Sequence, residues 1–402
     1  MSGMGQIERF ADLVVRAGVN VQPGQGVVVD SDTAHLEIAR AVVAAAYRAG
    51  AGWVEVNFQD GPIQRSGVDR ATVEALSASR PWALARIDQW RAAGVASIGL
   101  VGDPDPHLFD GADPVRLAAR RHDEVRARRD ALFAGDMRWS LVAAPNPGWA
   151  EQIFGEPDMD RLWAAVSTAM RLDSADPAAE WQTRSATLTA RAKQLDELDL
   201  DEVRYLGEGT DLVVGLPPRA RWTGGGLVDH AGIPYLPNLP TEEVFTSPDL
   251  NRAEGTIRVT RPMVIAGQLI KGLRVTFKDG RIDEVDADEG ADVIRAQIET
   301  DEGARHLGEV SLVDRDSRIA EAGIVFHNTL YDENAGCHVA WGQSFPWSVE
   351  GGLAMTPEQR AAVGLNSSGV HTDVVIGGDG MTVRGTGPGG TVDIIRDDEW
   401  VL

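Results

Sequence analysis

His371 and Asp373 are separated by Thr372 alone, and on an extended strand such an i, i+2 pair points both side chains to one face. An imidazole beside a carboxylate suits a metal clamp. The same half of the chain offers further donors: Glu242 and Glu243, Glu309, His327 and His338. Imidazoles with several carboxylates hold two divalent cations better than one. Two ions about 3.5–4 Å apart polarise a carbonyl, lower the pKa of a shared water and clamp the oxygens of a hydrolytic transition state. Mixed nitrogen and oxygen donors favour zinc, cobalt or manganese over calcium or Cu(I).

Each donor also has a plainer reading. The segment IVFHNTLYDENAGCHVAWG (324–342) reads as semi-apolar helix, where a lone histidine is more often a hydrogen-bonded core residue than a ligand. The company of His338, His371, Asp373 and two glutamate positions reverses those odds. In LGEVSLV, alternation puts Glu309 and Ser311 on one face and Val310 and Leu312 on the other, which also fits a solvent-facing glutamate. Glu242 and Glu243, if extended, face opposite sides, so only one enters a site. The glycine-rich stretches at 223–232 and 384–391 do not lie between a strand and a following helix, so they read as hairpin turns rather than phosphate cradles. Asp30-Ser31-Asp32 reads as helix capping, with Asp32 or Thr33 as the cap. No Gly-x-Ser-x-Gly elbow or Cys/His dyad is convincing, since Cys337 and His338 as helix neighbours point apart.

At 402 residues the chain exceeds the size of one hydrophobic core, so two domains are expected, residues 1–190 and 191–402. The first is α/β with an open, mostly parallel sheet. Strands are expected at Gly26–Asp30, Trp53–Phe58, Ala96–Val101 and Arg138–Ala143, with helices at Thr33–Arg48 and around 70–93 and 113–135. The charge run RLAARRHDEVRARRD in the last of these helices reads as a solvated face. A polar helix at 176–197 marks the boundary. The second domain, α+β with a mixed or antiparallel sheet, holds the metal site. Its texture is short alternating strands, a Lys278–Arg281 hairpin and a helix at Ala291–Glu302.

A net charge of −23, from 38 basic against 61 acidic residues, argues against nucleic acid, whose backbone needs Lys and Arg. Cys337 is the only cysteine, so no internal disulfide and no thiolate zinc cluster form, and a reducing cytoplasm is expected. No signal sequence or membrane span is read from the chain.

The stretches LPTEEVFTSPD (239–249), GEVSLV (308–313), HNTLYDENAGCHVAWG (327–342) and NSSGVHTDVVIGG (366–378) resemble the M29 metallo-aminopeptidases of the aminopeptidase T type. RFADLVVRAGVNVQPGQGVVV near the start is similar to that family's N-terminus. The resemblance implies an N-terminal α/β domain, a C-terminal domain with a two-metal site, a homodimer with enclosed clefts, and peptides as substrates. It implies Glu243, Glu309, His338, His371 and Asp373 as ligands, Glu243 being preferred to Glu242 because 66 residues separate it from Glu309. The scissile carbonyl would sit on one ion while a shared water attacks, and the free α-amino group would meet the second ion or a carboxylate. One departure stands out: where similar proteins carry a tyrosine seven residues after the histidine ligand, this chain has Phe345. An oxyanion donor is worth roughly 3 kcal/mol, so either Tyr331 or another donor substitutes or the protein is a poor peptidase. PWSVEGGLAMTPEQ (346–359) also places Trp347 and a Gly-Gly pair at the expected cleft rim. The rival enzyme is a mononuclear iron dioxygenase like the one that cleaves 2,5-dihydroxypyridine, with His338, His371 and Asp373 as its facial ligands. A binding protein that keeps metal without turnover is the third reading.

Overall fold

Val27, Val28 and Val29 are fully buried in a strand, β1 (Gly26–Asp32), as a strand covered on both faces requires. The computed structural model describes residues 3–119, 122–265, 268–378 and 380–402. β1 pairs in parallel with β2 (Trp53–Gln59) and β3 (Ala96–Val101), β3 with β4 (Trp139–Ala143), and β4 with a short strand, Asn238–Leu239. At the end of β1, the Asp32 carboxylate accepts the Ala34 N–H at 2.8 Å and opens a 3₁₀ turn that runs into α1 (Leu36–Arg48). α1 buries Ile38, Ala39, Val42, Ala45 and Ala46, a stripe at helical spacing. In the charge run, Arg126 pairs with Asp123 in the open, whereas Arg128 turns inward to Asp30 and to the Ser97 hydroxyl at 2.8 Å. Arg120 and Arg121 of that run lie outside the described residues.

The chain forms two compact units, one of Met1–Gln182 with Gly226–Pro240, the other of Thr183–Gly225 with Thr241–Leu402. The polar helix α2 (Pro177–Leu198) carries the first crossing. The segment 226–240 returns to the first unit because Asn238–Leu239 extends its parallel sheet.

The second unit contains an eight-stranded antiparallel sheet, in the order 281–286, 274–278, 253–258, 210–215, 202–207, 382–387, 390–396, 399–400. Asp279 (φ 50°) and Gly280 (φ 78°) turn the Lys278–Arg281 hairpin, both in the left-handed region that a two-residue turn demands. The helix expected through Glu302 ends at Gln297, and a separate 3₁₀ turn follows at Glu302–Arg305. A second sheet of five strands runs β9 (His371–Val375), β8 (His338–Gly342), β7 (Leu307–Leu312), β6 (Val244–Thr246), β5 (Thr223–Gly224). Val310, Leu312, Val339, Trp341 and Val374 join one hydrophobic core with Val203, Leu212, Ile257 and Val275 of the larger sheet. Trp341 therefore belongs to the core, where its indole N–H donates to Gln297 at 3.0 Å.

Candidate metal centre

The core takes every second residue of β7, β8 and β9, so the alternate residues share the opposite face. Register aligns them. Glu309 pairs with Ala340 and Ala340 with Asp373, while Ser311 pairs with His338. Two carboxylates thus flank an alanine too small to separate them. Val244 pairs with Leu312 on the core side, which turns the preceding residue, Glu243, to the side of Ser311. Glu242, one residue earlier, turns the other way. It is fully buried and ion-paired with Arg184, and its N–H donates to Asn334 at 2.6 Å.

His338 lies at the start of a strand rather than in the helix its sequence suggested; the helix preceding it spans only Thr329–Asp332, and Gly336 breaks the path into β8. Its Nε2 is 3.1 Å from Glu243 and 3.7 Å from Glu309. His371 Nε2 is 3.2 Å from Glu309 and 3.4 Å from Asp373. Both imidazoles are oriented from behind: Nδ1 of His371 meets the Gln343 carbonyl at 2.8 Å, and Nδ1 of His338 faces the Gly336 carbonyl at 3.4 Å. Nε2 is thereby left toward the carboxylates, the arrangement that presets a ligating histidine. The Ser311 hydroxyl donates to Glu243 at 2.8 Å.

These atoms form two sets, Glu243–Glu309–His338 and Glu309–His371–Asp373, each with donor atoms within 4.8 Å of one another. Glu309 belongs to both. Glu243, Glu309 and His338 are buried, at 6%, 4% and 1% exposure, so the alternation that also fitted a solvent-facing Glu309 points it into the protein interior.

Glu333 joins the cluster. It sits in the 3₁₀ turn Glu333–Ala335, is 8% exposed, and lines a cavity of about 250 Å³ with His371 and Asp373. Burial, then the charges of Asp373 and Glu243, push its carboxyl well above the usual range. Burial likewise raises Glu243, with Glu309 adding to it. On His338, burial opposes the charge, but the hydrogen bonds and charges of Glu243 and Glu309 outweigh it and hold the pKa well above normal. His371 is raised in the same way against burial, by Asp373 and Glu309, and Asp373 is lowered by His371 in spite of its burial. Buried carboxylates that repel one another and are balanced only by protons on two imidazoles form a donor set in which a divalent cation takes the protons' place.

Aromatic rings border the cluster. Phe345 lies 5.3 Å from the His371 ring, stacks on Trp347 at 5.0 Å and meets Phe245 edge-on at 5.3 Å. Tyr331 is fully buried against Phe326 at 4.7 Å, and burial raises its phenol so that the hydroxyl stays protonated. His327 also lines the cavity; its backbone is left-handed (φ 53°), and its Nδ1 is buried without a hydrogen-bond partner. A larger cavity of about 800 Å³ lies in the first unit near the carboxyl ends of β1 and β3.

The model of the thermophilic metalloproteases, M29, matches residues 4–400. The chain belongs to this family. It is therefore a metallopeptidase, a hydrolase of peptides. Aminopeptidase PepS of Streptococcus thermophilus is 36% identical over 405 residues, covering 98% of each chain. Aminopeptidase T of Thermus aquaticus is 36% identical over 404 residues, again with 98% of each covered. The solved structure of wild-type AmpT from Thermus thermophilus superposes with a TM-score of 0.90 at 33% identity, covering 99% of both chains. The α/β first unit and antiparallel second unit of this M29 protein are thus a fold shared along the whole chain.

Proposed function

We propose that this protein removes N-terminal residues from peptides as a metal-dependent aminopeptidase, holding two divalent ions, zinc, cobalt or manganese, through Glu243, Glu309, His338, His371 and Asp373, with Glu333 completing the set. The observation that carries this reading is the sharing of Glu309 between two donor sets on one sheet face. When bound, such ions polarise the scissile carbonyl and acidify a water. The protein's own groups do the rest. Glu309 offers its carboxylate to both donor sets; Ser311 fixes Glu243 in orientation; Glu333 and Asp373, at the cavity wall, would receive the substrate's α-ammonium group. Requiring that ammonium restricts cleavage to the first residue. Tyr331, kept protonated, is assigned the oxyanion donor in place of the phenol missing at Phe345. The relatives named are peptidases, which favours hydrolysis over the ring-cleaving oxygenase.

We further place the protein in the cytoplasm as a homodimer. The single cysteine, buried and free, suits a reducing compartment, and among the described residues no helix is long and apolar enough to cross a membrane. Light scattering during gel filtration tests the dimer.

Metal content per chain, measured after purification without added metal and again after loading, tests the main reading alongside hydrolysis of leucyl and arginyl p-nitroanilides. Two ions per chain with chromophore release is the expected result. One iron per chain without hydrolysis would overturn it in favour of the oxygenase.

A further inference from the structure

The cavity that Glu333, His371 and Asp373 line is also lined by Arg261. Its side chain is only 19% exposed. Nη1 donates to the Ile324 carbonyl at 2.8 Å. The nearest carboxylate, Asp332, stands 3.9 Å from that nitrogen, beyond hydrogen-bond reach, and Asp332 already accepts the N–H groups of Phe326 at 2.8 Å and Asn328 at 3.1 Å. Among the described residues, then, Nε and Nη2 of Arg261 have no acceptor. A guanidinium carries five donors in a planar fork and cannot relieve its burial by losing a proton at ordinary pH. Burial lowers the Arg261 pKa, and Asp332 opposes this only in part. A partly buried fork with most donors unused is a preset seat for a carboxylate, which it grips through two parallel hydrogen bonds.

Two further features say which carboxylate. Asp332 is the carboxylate beside Arg261, at 3.9 Å, whereas Glu333, Asp373 and Glu243 act on one another. The cavity thus carries a buried carboxylate cluster and, beside Asp332, one guanidinium with unused donors. The volume of about 250 Å³ lies below the roughly 300–1,000 Å³ usual for ligand pockets, which suits a short peptide. A dipeptide zwitterion has the matching pattern, ammonium at one end and carboxylate at the other.

We propose that Arg261 binds the C-terminal carboxylate of a short peptide substrate whose amino end lies at the carboxylate cluster. This rests on the aminopeptidase reading and adds a substrate class to it: di- and tripeptides with a free carboxyl terminus. Arg261 is a specificity residue that touches the far end of the substrate.

The test compares kcat/KM for leucyl-alanine and for leucyl-alanine amide on the metal-loaded full-length protein. The native protein prefers the free acid by about tenfold or more, expressed mainly in KM. That preference runs against its net charge of −23, which by itself draws the more cationic amide. In Arg261→Met the acid-to-amide ratio falls to near one. In Arg261→Lys, which keeps the charge and loses the fork, the ratio is intermediate. A purely structural role would lower both substrates alike and leave the ratio standing. A native ratio near one, or an unchanged ratio in both variants, overturns the proposal while leaving the peptidase intact. Failure of the native protein to cleave either peptide or leucyl p-nitroanilide would instead overturn the aminopeptidase reading beneath it.

Discussion

The Phe345 ring lies 5.3 Å from the imidazole of His371, so a hydroxyl added to that ring tests whether a phenol at this position reaches the cluster. Phe345→Tyr is expected to raise kcat on leucyl p-nitroanilide, up to about a hundredfold if the new phenol outperforms the resident donor; an unchanged kcat would show that the oxyanion is already fully served. Glu309 and His371 give a second residue-level contrast. Because Glu309 belongs to both donor sets, Glu309→Ala should lose both metal equivalents, whereas His371→Ala leaves Glu243–Glu309–His338 complete and should retain about one. Elemental analysis of the dialysed variants reads the difference directly, and equal losses would refute a shared ligand. The five residues that the structure brings together were suggested by an i, i+2 pair and a short list of glutamates and histidines, with the family resemblance choosing Glu243 over Glu242. The choice between Glu242 and Glu243 became a matter of physics only with the β6–β7 register, which sends neighbours to opposite faces. Glu333 and Arg261 were not singled out as site residues. Glu333 lies in a three-residue 3₁₀ turn and Arg261 in a bend, both too short for periodicity to carry a signal for where they point.

At the scale of elements, the site depends on how closely β8 and β9 approach where Gly342 pairs with His371. Gly342 has φ 105°, and a Cβ there would stand 2.0 Å from the Val370 carbonyl oxygen. Gly342→Ala must therefore push the two strands apart or break their pairing, with an expected loss of about 2–4 kcal/mol in urea denaturation and a weakened metal site. A variant with native stability and native metal content would contradict that picture. The parallel strands of the first unit were readable because buried strands are continuous apolar runs bounded by turns, and α1 because its cap and its apolar stripe agree. The 324–342 segment misled as helix. Apolar residues on both sides of His338 arise there from a strand buried on both faces, and spacing alone does not separate that from a buried helix.

For the whole molecule, the cluster of mutually repelling carboxylates is expected to make the stability of the second unit depend on a bound cation. Chelation of the loaded protein should lower its melting temperature by several degrees, a stabilisation of about 2.7 kcal/mol being expected for each site held at a hundred times its Kd. Coincident melts with and without chelator would show that the cations add nothing to the fold. The interleaved course of the chain has a different consequence, for the order of synthesis. Arg138, with its side chain 4% exposed, is ion-paired with Asp229, and β4 gains its outer neighbour only at Asn238–Leu239. On the ribosome, the first unit must therefore wait with a buried cation unmatched and a sheet edge open while the hairpin 202–215 of the second unit is already being made. A nascent chain stalled before residue 229 would carry that exposed edge, the state in which a chaperone, or a neighbouring nascent chain, would first find it.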